Sequence, residues 1–379
     1  MLRNLHIEGF KCFEKIDIEL RQLTLLSGEN SGGKSSAIQS LVLLAQHMQT
    51  REWGRNLLLD SPDLPLGTVA DVLNQQSAPK RLSLGLTTGD ETISWSFLAD
   101  DRRSLSVNLD NVSIDGRQFK VTAATKIRHL LPADLETVNE SAVVRDLLRL
   151  SWITAERTGP RELLPLKDEG DHTQVGHRGE WAAGILHWHG ETEVHPALWL
   201  AEFPPTLFHQ TRAHMQALFP GCDLRVTPVE GVNAVALRFR LDNKSDFRRP
   251  QNVGFGLSQL FPVIVAILFA GAGDCVLIEN PEVHLHPRAQ QSIGELIARV
   301  AATGVQVILE THSDHVLNGV RLAVKRGLID HENVVIHFFG QVGGIAGSLL
   351  SPVIDADGRL DTWPDGFFDQ LDVALSDLL

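Results

Sequence analysis

Residues 28–35 read Gly28-Glu29-Asn30-Ser31-Gly32-Gly33-Lys34-Ser35, with Ser36 next, and have the spacing of a phosphate-binding loop. Glycines let successive backbone N–H groups turn inward around phosphate oxygens, where side chains would stand in the way. Lys34 can reach β- and γ-phosphates, and the Ser35 hydroxyl can ligate Mg²⁺. The flanks suit this chemistry. Leu23 to Leu26 is a short apolar run read as a buried strand, and Ala37, Ile38, Leu41, Val42, Leu44, Ala45 and Met48 follow helical spacing. Strand, glycine loop and helix N-terminus together make an anion site.

Three later segments could complete such a site. Residues 275–287 form an apolar strand ending in Glu279, an acid placed to hold Mg²⁺ directly or through water, and Asn280, Pro281 and Glu282 follow. Residues 305–318 are a second apolar strand that ends in Glu310, Thr311, His312, Ser313 and His315. Ligands of open α/β sheets bind at such strand ends. His312 could hydrogen-bond a γ-phosphate or the attacking water. Residues 252–262 begin a helix, with Gly254 and Gly256 freeing the backbone and Ser258 and Gln259 near its start, another plausible anion-binding terminus.

In this order, GENSGGKSS, GFGLSQ, LIENPEVHLHP and ETHSDH resemble an ABC-type ATPase head of the RecF/SMC-like and OLD-family kind, including ATPase subunits of antiphage systems such as Septu. ITAERTGPR (153–161) is similar to a strand of bacterial members, and DTWPDGFFDQ (361–370) resembles a small C-terminal domain of unknown function attached to them. The resemblance implies an α/β P-loop NTPase fold with ATP and Mg²⁺ as cofactors. It makes Gly28 to Ser35 the Walker A loop, Glu279 the Walker B acid and His312 the switch histidine. It puts Ser258 and Gln259, with Gly254 and Gly256, at the signature motif. In such heads one subunit's signature caps the nucleotide held by the other, so ATP glues a homodimer. A glutamine, here Gln75 or Gln76, touches Mg²⁺. The implied output is control of a separate effector, such as a nuclease, in antiphage defence or DNA maintenance.

The departures are as informative. Family heads carry a catalytic glutamate directly after the Walker B acid, where this chain has Asn280. An amide cannot take a proton from water. Either Glu282 substitutes, with Glu282 or His312 polarising water in a slow hydrolysis, or ATP serves as a clamp in a non-hydrolysing sensor or scaffold. Heptads for coiled-coil arms are absent, as is a C-terminal nuclease pattern. A third reading takes Glu282, His284, His286, His312, Asp314 and His315 as the metal site of a nuclease or phosphoesterase.

The elements that must position these residues follow from patterning. The chain has 379 residues, 43% hydrophobic and 21% charged, which is globular composition. Two strands precede the phosphate loop, residues 55–67 read as a loop, and residues 81–121 alternate as antiparallel strands. Residues 122–150 and 178–220 read as helical, and 224–241 as two strands. From 253 onward helices alternate with buried strands. The expected organisation is an ATPase core of residues 1–75 and 251–350, an insertion at 76–250, and a small C-terminal domain at 351–379. The insertion comprises a strand lobe at about 81–121, a helical lobe at about 122–220 and strands at about 224–241.

Net charge is −13, which disfavours a protein that coats nucleic acid generally. Arg238, Arg240, Lys244, Arg248 and Arg249 form the best basic cluster for a local nucleic-acid or partner contact. Arg157 and Arg161 could reach phosphate or make salt bridges. Cys12, Cys222 and Cys275 have neither disulfide nor zinc spacing, and no segment is a membrane span, so a cytoplasmic setting is expected.

Overall fold

The computed structural model describes residues 1–75, 80–135, 140–171, 173–242, 244–342, 345–364 and 367–368. The chain divides into two compact units, and the first comprises Met1–Leu150, Val335–Pro352 and Pro364–Phe367. It opens with β1 (Asn4–Phe10) and β2 (Phe13–Glu19), an antiparallel hairpin whose turn places Lys11 at φ 50°. Next come β3 (Leu23–Gly28) and α1 (Lys34–Thr50). The expected loop at 55–67 contains a short strand, β4 (Asn56–Leu58), and leads to α2 (Val69–Val72). Four strands follow: β5 (Arg81–Thr87), β6 (Thr92–Leu98), β7 (Ser106–Ile114) and β8 (Arg117–Lys120).

These strands join the first hairpin in one sheet, ordered β2-β1-β5-β6-β7-β4, with β8 on β7. The sheet therefore runs across residue 76. The reason is visible in β6, where Ile93, Trp95 and Phe97 are fully buried and alternate with half-exposed serines. Such a one-sided face must pack, and the neighbouring edge it extends from is β5 on β1. The Trp95 indole N–H donates to the carbonyl of Leu130 at 3.1 Å, so burying it leaves no polar atom stranded.

Residues 122–150 differ from the helical expectation. Among the described residues they form the small pair β9 (Ile127–Arg128) and β10 (Leu131–Pro132), and a helix only at α3 (Ala142–Leu148). His129 and Leu130 sit at φ 48° and 59°, a left-handed turn that a continuous helix cannot contain. Ser141 caps α3 through its side chain, which accepts the Val144 N–H at 3.2 Å.

The second unit comprises Ser151–Val334, Val353–Trp363 and Phe368–Leu379. Its first elements are β11 (Leu150–Ile153), β12 (Leu163–Pro165), α4 (Ala182–His189) and α5 (Leu207–Leu218). Strands β13 (Asp223–Pro228) and β14 (Ala234–Arg240) join β12 in a three-stranded antiparallel sheet. The apolar helix α6 (Phe255–Phe269) is buried along most of its length.

Strand β15 (Cys275–Glu279), α7 (Pro287–Ala302), β16 (Gln306–Glu310) and α8 (Asp314–Lys325) complete a parallel β-α-β-α run. β15 and β16 pair in parallel from Cys275↔Gln306 to Glu279↔Glu310, with β11 on the other side of β15. Helices α7 and α8 approach closely. A Cβ on Gly294 would lie 2.3 Å from the Val316 carbonyl oxygen, and one on Gly319 2.1 Å from that of Gln291. After α8 the chain returns to the first unit through β17 (Val334–Val342) and β18 (Ile345–Leu350), an antiparallel pair. Within that unit β3, β17 and β18 are neighbours in this order. No helix among the described residues is long and apolar enough to cross a membrane.

Candidate functional site

In the first unit the glycine loop joins β3 directly to α1. Gly28 has φ 130° and Gly33 φ 117°, conformations open to glycine and strained for other residues. Space reinforces the choice: a Cβ at Gly28 would lie 2.0 Å from the Phe339 carbonyl oxygen, and one at Gly33 2.6 Å from the Phe13 ring. Gly32 is similarly close to the same Phe339 oxygen, at 2.6 Å. The loop is tied to β17 by the Glu29 N–H, which donates to the Phe339 carbonyl at 2.9 Å.

Lys34 is buried and curls into the loop, its Nζ donating to the carbonyls of Gly28 and Glu29 at 2.9 and 2.8 Å. Gly33 caps α1 without a side-chain hydrogen bond, and Glu29, Asn30, Ser31 and Ser35 are exposed around the loop. Ser36 is half-buried beside Cys12, whose thiol burial pushes up. A helix N-terminus without a side-chain cap, with an ammonium beside it, suits a polyanion. This geometry fits a nucleotide triphosphate, and Ser35 is the loop residue whose hydroxyl would hold Mg²⁺. Gln75 is exposed in a turn after α2, and Gln76 lies outside the described residues.

In the second unit, Glu279 ends β15 and its carboxylate is engaged by Trp152 of β11 and the segment that follows. Trp152 Nε1 donates to Oε1 at 2.9 Å, while the Thr154 hydroxyl and the Ala155 N–H donate to Oε2 at 3.2 and 3.1 Å. A carboxylate oxygen has two acceptor sites, so Oε2 is filled and Oε1 keeps one. Glu279 would therefore hold Mg²⁺ through that single position or through a water.

Asn280 turns the chain at φ 44° while its N–H still donates to the Glu310 carbonyl of β16 at 2.8 Å. Glu282 then reaches the end of β16, where Oε1 accepts the His312 N–H at 2.8 Å. Burial pushes the Glu282 carboxyl up, opposed by backbone donors and by Arg157. The ring of His312 is on an exposed residue, and Ser313 caps α8 by accepting the Val316 N–H at 3.2 Å.

Arg157 is the residue that sequence reasoning left open. It is 5% exposed and lies against the chain at 279–280, where Nη2 donates to the carbonyls of Glu279 and, at 3.2 Å, Asn280. Burial lowers its pKa to about 10, with the charges of Glu282 and Glu279 opposing. The signal in the sequence was the run Glu156-Arg157-Thr158-Gly159-Pro160-Arg161; its partner lay 122 residues away.

The start of α6 packs on these same loops. A Cβ on Gly256 would lie 2.6 Å from the His284 carbonyl oxygen, and the Phe255 and His284 rings meet edge-on at 4.7 Å. Ser258 and Gln259 are buried, at 7% and 5% exposure. The unit therefore holds several buried polar atoms without a hydrogen-bond partner: Arg157 Nε and Nη1, Asn280 Oδ1, Glu282 Oε2, Ser258 Oγ and Gln259 Oε1. Buried unpaired atoms of this kind are uncommon and gather where a ligand or water is handled.

Two expectations change. Among the described residues no group of three His, Cys, Asp or Glu side chains is arranged to hold a metal ion. The basic cluster is largely spent on structure. Arg238 and Arg249 share Glu162 at 2.6 and 2.9 Å, and Arg240 shares Asp223 with Arg212 at 2.7 and 2.6 Å.

Comparison with known proteins agrees with this architecture. Two solved structures align over nearly the whole chain: the SmcHead bound to the C-winged helix domain of ScpA, and an Smc head domain with an extended coiled coil bound to the C-terminal domain of ScpA derived from Pyrococcus furiosus. The first is 13% identical, covers 93% of this chain and 98% of its own, and has a TM-score of 0.56. The second is 12% identical, covers 100% and 99%, and has a TM-score of 0.53. They share the mixed α/β fold of an SMC/ABC-type P-loop ATPase head. No curated protein matches the chain in sequence. Residues 329–378 match the family described as "Protein of unknown function (DUF3696)". Residues 23–318, more than half of the chain, match a family of P-loop ATPases, and the chain belongs to that family, described as "AAA domain, putative AbiEii toxin, Type IV TA system".

Proposed function

We propose that this chain binds ATP with Mg²⁺ at Gly28–Ser35 and hydrolyses it slowly, and that nucleotide-driven homodimerisation controls a partner effector, such as a nuclease, in antiphage defence or DNA maintenance. The observation that carries the reading is the phosphate loop: left-handed Gly28 and Gly33, Lys34 inside the loop, and α1 starting without a side-chain cap. ATP supplies the phosphoryl group, and Mg²⁺ would offset its charge from Ser35. The chain's own residues do the rest. Backbone N–H groups of the loop orient the phosphates, and Glu282 takes the proton of the attacking water while the His312 N–H holds Glu282 in place. His312 itself is assigned to the phosphate or the water, and Ser258 and Gln259 to the helix start that caps a second copy's nucleotide.

The expected segmentation into a core of 1–75 and 251–350, an insertion and a C-terminal piece belongs to this proposal, and the match at 329–378 supports a distinct C-terminal element. The effector is inferred by analogy: two similar heads are bound to a ScpA domain. A second reading, an ATP sensor that does not turn over, is favoured by Asn280 at the position where related heads carry a base. Calorimetric titration with ATP–Mg²⁺ and steady-state phosphate release test the proposal. We expect binding that Lys34→Ala abolishes and turnover that Glu282→Gln lowers by about 100-fold. Absence of binding by the parent protein overturns the proposal, and binding without turnover selects the sensor reading.

A further inference from the structure

The glycine loop has little of its own to hold it. Gly28, Gly32 and Gly33 carry no side chains, so the loop takes its shape from what it leans on. Much of that support is Phe339 of β17. Its carbonyl accepts the Glu29 N–H at 2.9 Å and crowds the places a Cβ would take on Gly28 and Gly32. Its ring lies 6.3 Å from that of Phe13, and Phe13 in turn fills the space beside Gly33. One fully buried residue of β17 therefore backs both ends of the loop.

Phe338 precedes it in β17, so its ring leaves by the opposite face of the strand. There it lies over Gly340, where a Cβ would come within 3.0 Å of the ring. It meets the ring of Phe367 edge-on, with centroids 5.4 Å apart and planes at 86°, an arrangement that adds to simple burial. Phe367 is 1% exposed and enters on a turn in which its N–H donates to the Pro364 carbonyl at 2.9 Å. At Pro364–Phe367 the chain has returned to the first unit, after Val353–Trp363 have belonged to the second. Phe338, Phe339 and Phe367 all fall within the stretch 329–378, whose matching family has no assigned role.

We infer that the Pro364–Phe367 segment is a buttress for the glycine loop: Phe367, seated against Phe338, fixes β17 from behind and so sets the affinity for nucleotide. This rests on the ATP-binding reading above. Phe367 is a positioning residue, acting through Phe338 and the Phe339 carbonyl. Phe338 and Phe339 share one rigid peptide unit, and a close-packed interior transmits a shift where a looser one would absorb it. Drawing the segment away from β17 releases nucleotide, and by linkage bound nucleotide holds the segment down. The stretch 329–378 thereby acquires a task, which is to keep the loop in its binding shape.

The test uses the full-length protein and two readouts: amide exchange at Glu29 without nucleotide, and titration with ATP–Mg²⁺ by calorimetry. Phe367→Ala should quicken Glu29 exchange and weaken ATP binding, each by about tenfold. Phe367→Leu keeps the bulk and loses the ring edge, and should give about threefold in each. Ile93→Ala truncates a fully buried side chain of β6 in the same unit, and should lower the melting temperature while leaving both readouts within about twofold of the parent. In the parent, ATP–Mg²⁺ should slow exchange of the Phe367 N–H about tenfold, the reciprocal of the affinity effect. Affinities of Phe367→Ala and Phe367→Leu within about twofold of the parent overturn the inference, as does an equal response in Ile93→Ala. If Phe367→Ala does not fold, Phe367→Leu and the protection of Phe367 in the parent decide. A parent protein that takes up no ATP removes the ATP-binding reading, and the buttress then stands or falls on Glu29 exchange.

Discussion

Replacing Glu279 by alanine should loosen the segment after β11 before it alters any chemistry. The carboxylate receives N–H or O–H bonds from Trp152, Thr154 and Ala155 at 2.9, 3.2 and 3.1 Å. Hydrogen bonds to a charged group contribute about 1.5–3 kcal/mol each, and these lie at the low end because Trp152, Thr154 and Ala155 are half-buried and water can replace the acceptor. For three such bonds the expected loss is about 4–5 kcal/mol, or roughly 10–15 °C in the melting transition of a unit this size. Glu279→Gln should cost about half as much, since its amide keeps one acceptor oxygen and turns an NH₂ toward a donor. Differential scanning calorimetry reads both variants. A double-mutant cycle with Trp152→Phe isolates the indole bond and should show coupling of about 1 kcal/mol. A Glu279→Ala protein that melts within about 1 °C of the parent, or strict additivity with Trp152→Phe, refutes the anchoring role.

Other outcomes follow from single features. His214 is buried, its Nε2 2.8 Å from the Leu198 carbonyl, and burial lowers its pKa to about 4. The unfolded chain therefore takes up this proton first, so stability present above pH about 6.5 falls by about 3 kcal/mol as pH drops to about 4. Urea titrations of the parent and His214→Phe across that window should show the variant with the shallower pH slope. Gly33→Ala forces a Cβ to within 2.6 Å of the Phe13 ring at φ 117°, and should reduce ATP affinity at least tenfold by calorimetry. Gly319→Ala sets a Cβ 2.1 Å from the Gln291 carbonyl oxygen between α7 and α8, and should destabilise by about 2–3 kcal/mol in thermal melting.

What could be read from the sequence was local. The glycine loop between β3 and α1 was legible because its glycines answer a backbone requirement that shows up as residue type, φ 130° at Gly28 and 117° at Gly33. The parallel run from β15 to α8 was legible because apolar runs buried on both faces carry no alternation and end in polar residues. The bonds that Arg157 and Glu279 make were not, since their partners stand 122 to 127 residues away and nothing in Trp152 or Thr154 announces a carboxylate. Residues 122–150 misled for a different reason: apolar side chains at helical spacing can serve a left-handed turn, and only the positive φ of His129 and Leu130 reveals it. The ion pairs of Arg238, Arg240 and Arg249 were not legible either, because Glu162 and Asp223 are remote in sequence or hidden in a strand start.

The glycine-to-carbonyl contacts between α7 and α8 have a mechanical consequence. α7 starts soon after Glu282 and α8 just after His312, so each helix is a lever rooted in one of the two polar loops. Backbone touching backbone leaves no side-chain padding to absorb a slip of one lever past the other. Any displacement felt by Glu282 is therefore handed on to His312 as a movement of the pair, and a push on the far ends of these helices would reach both loops together.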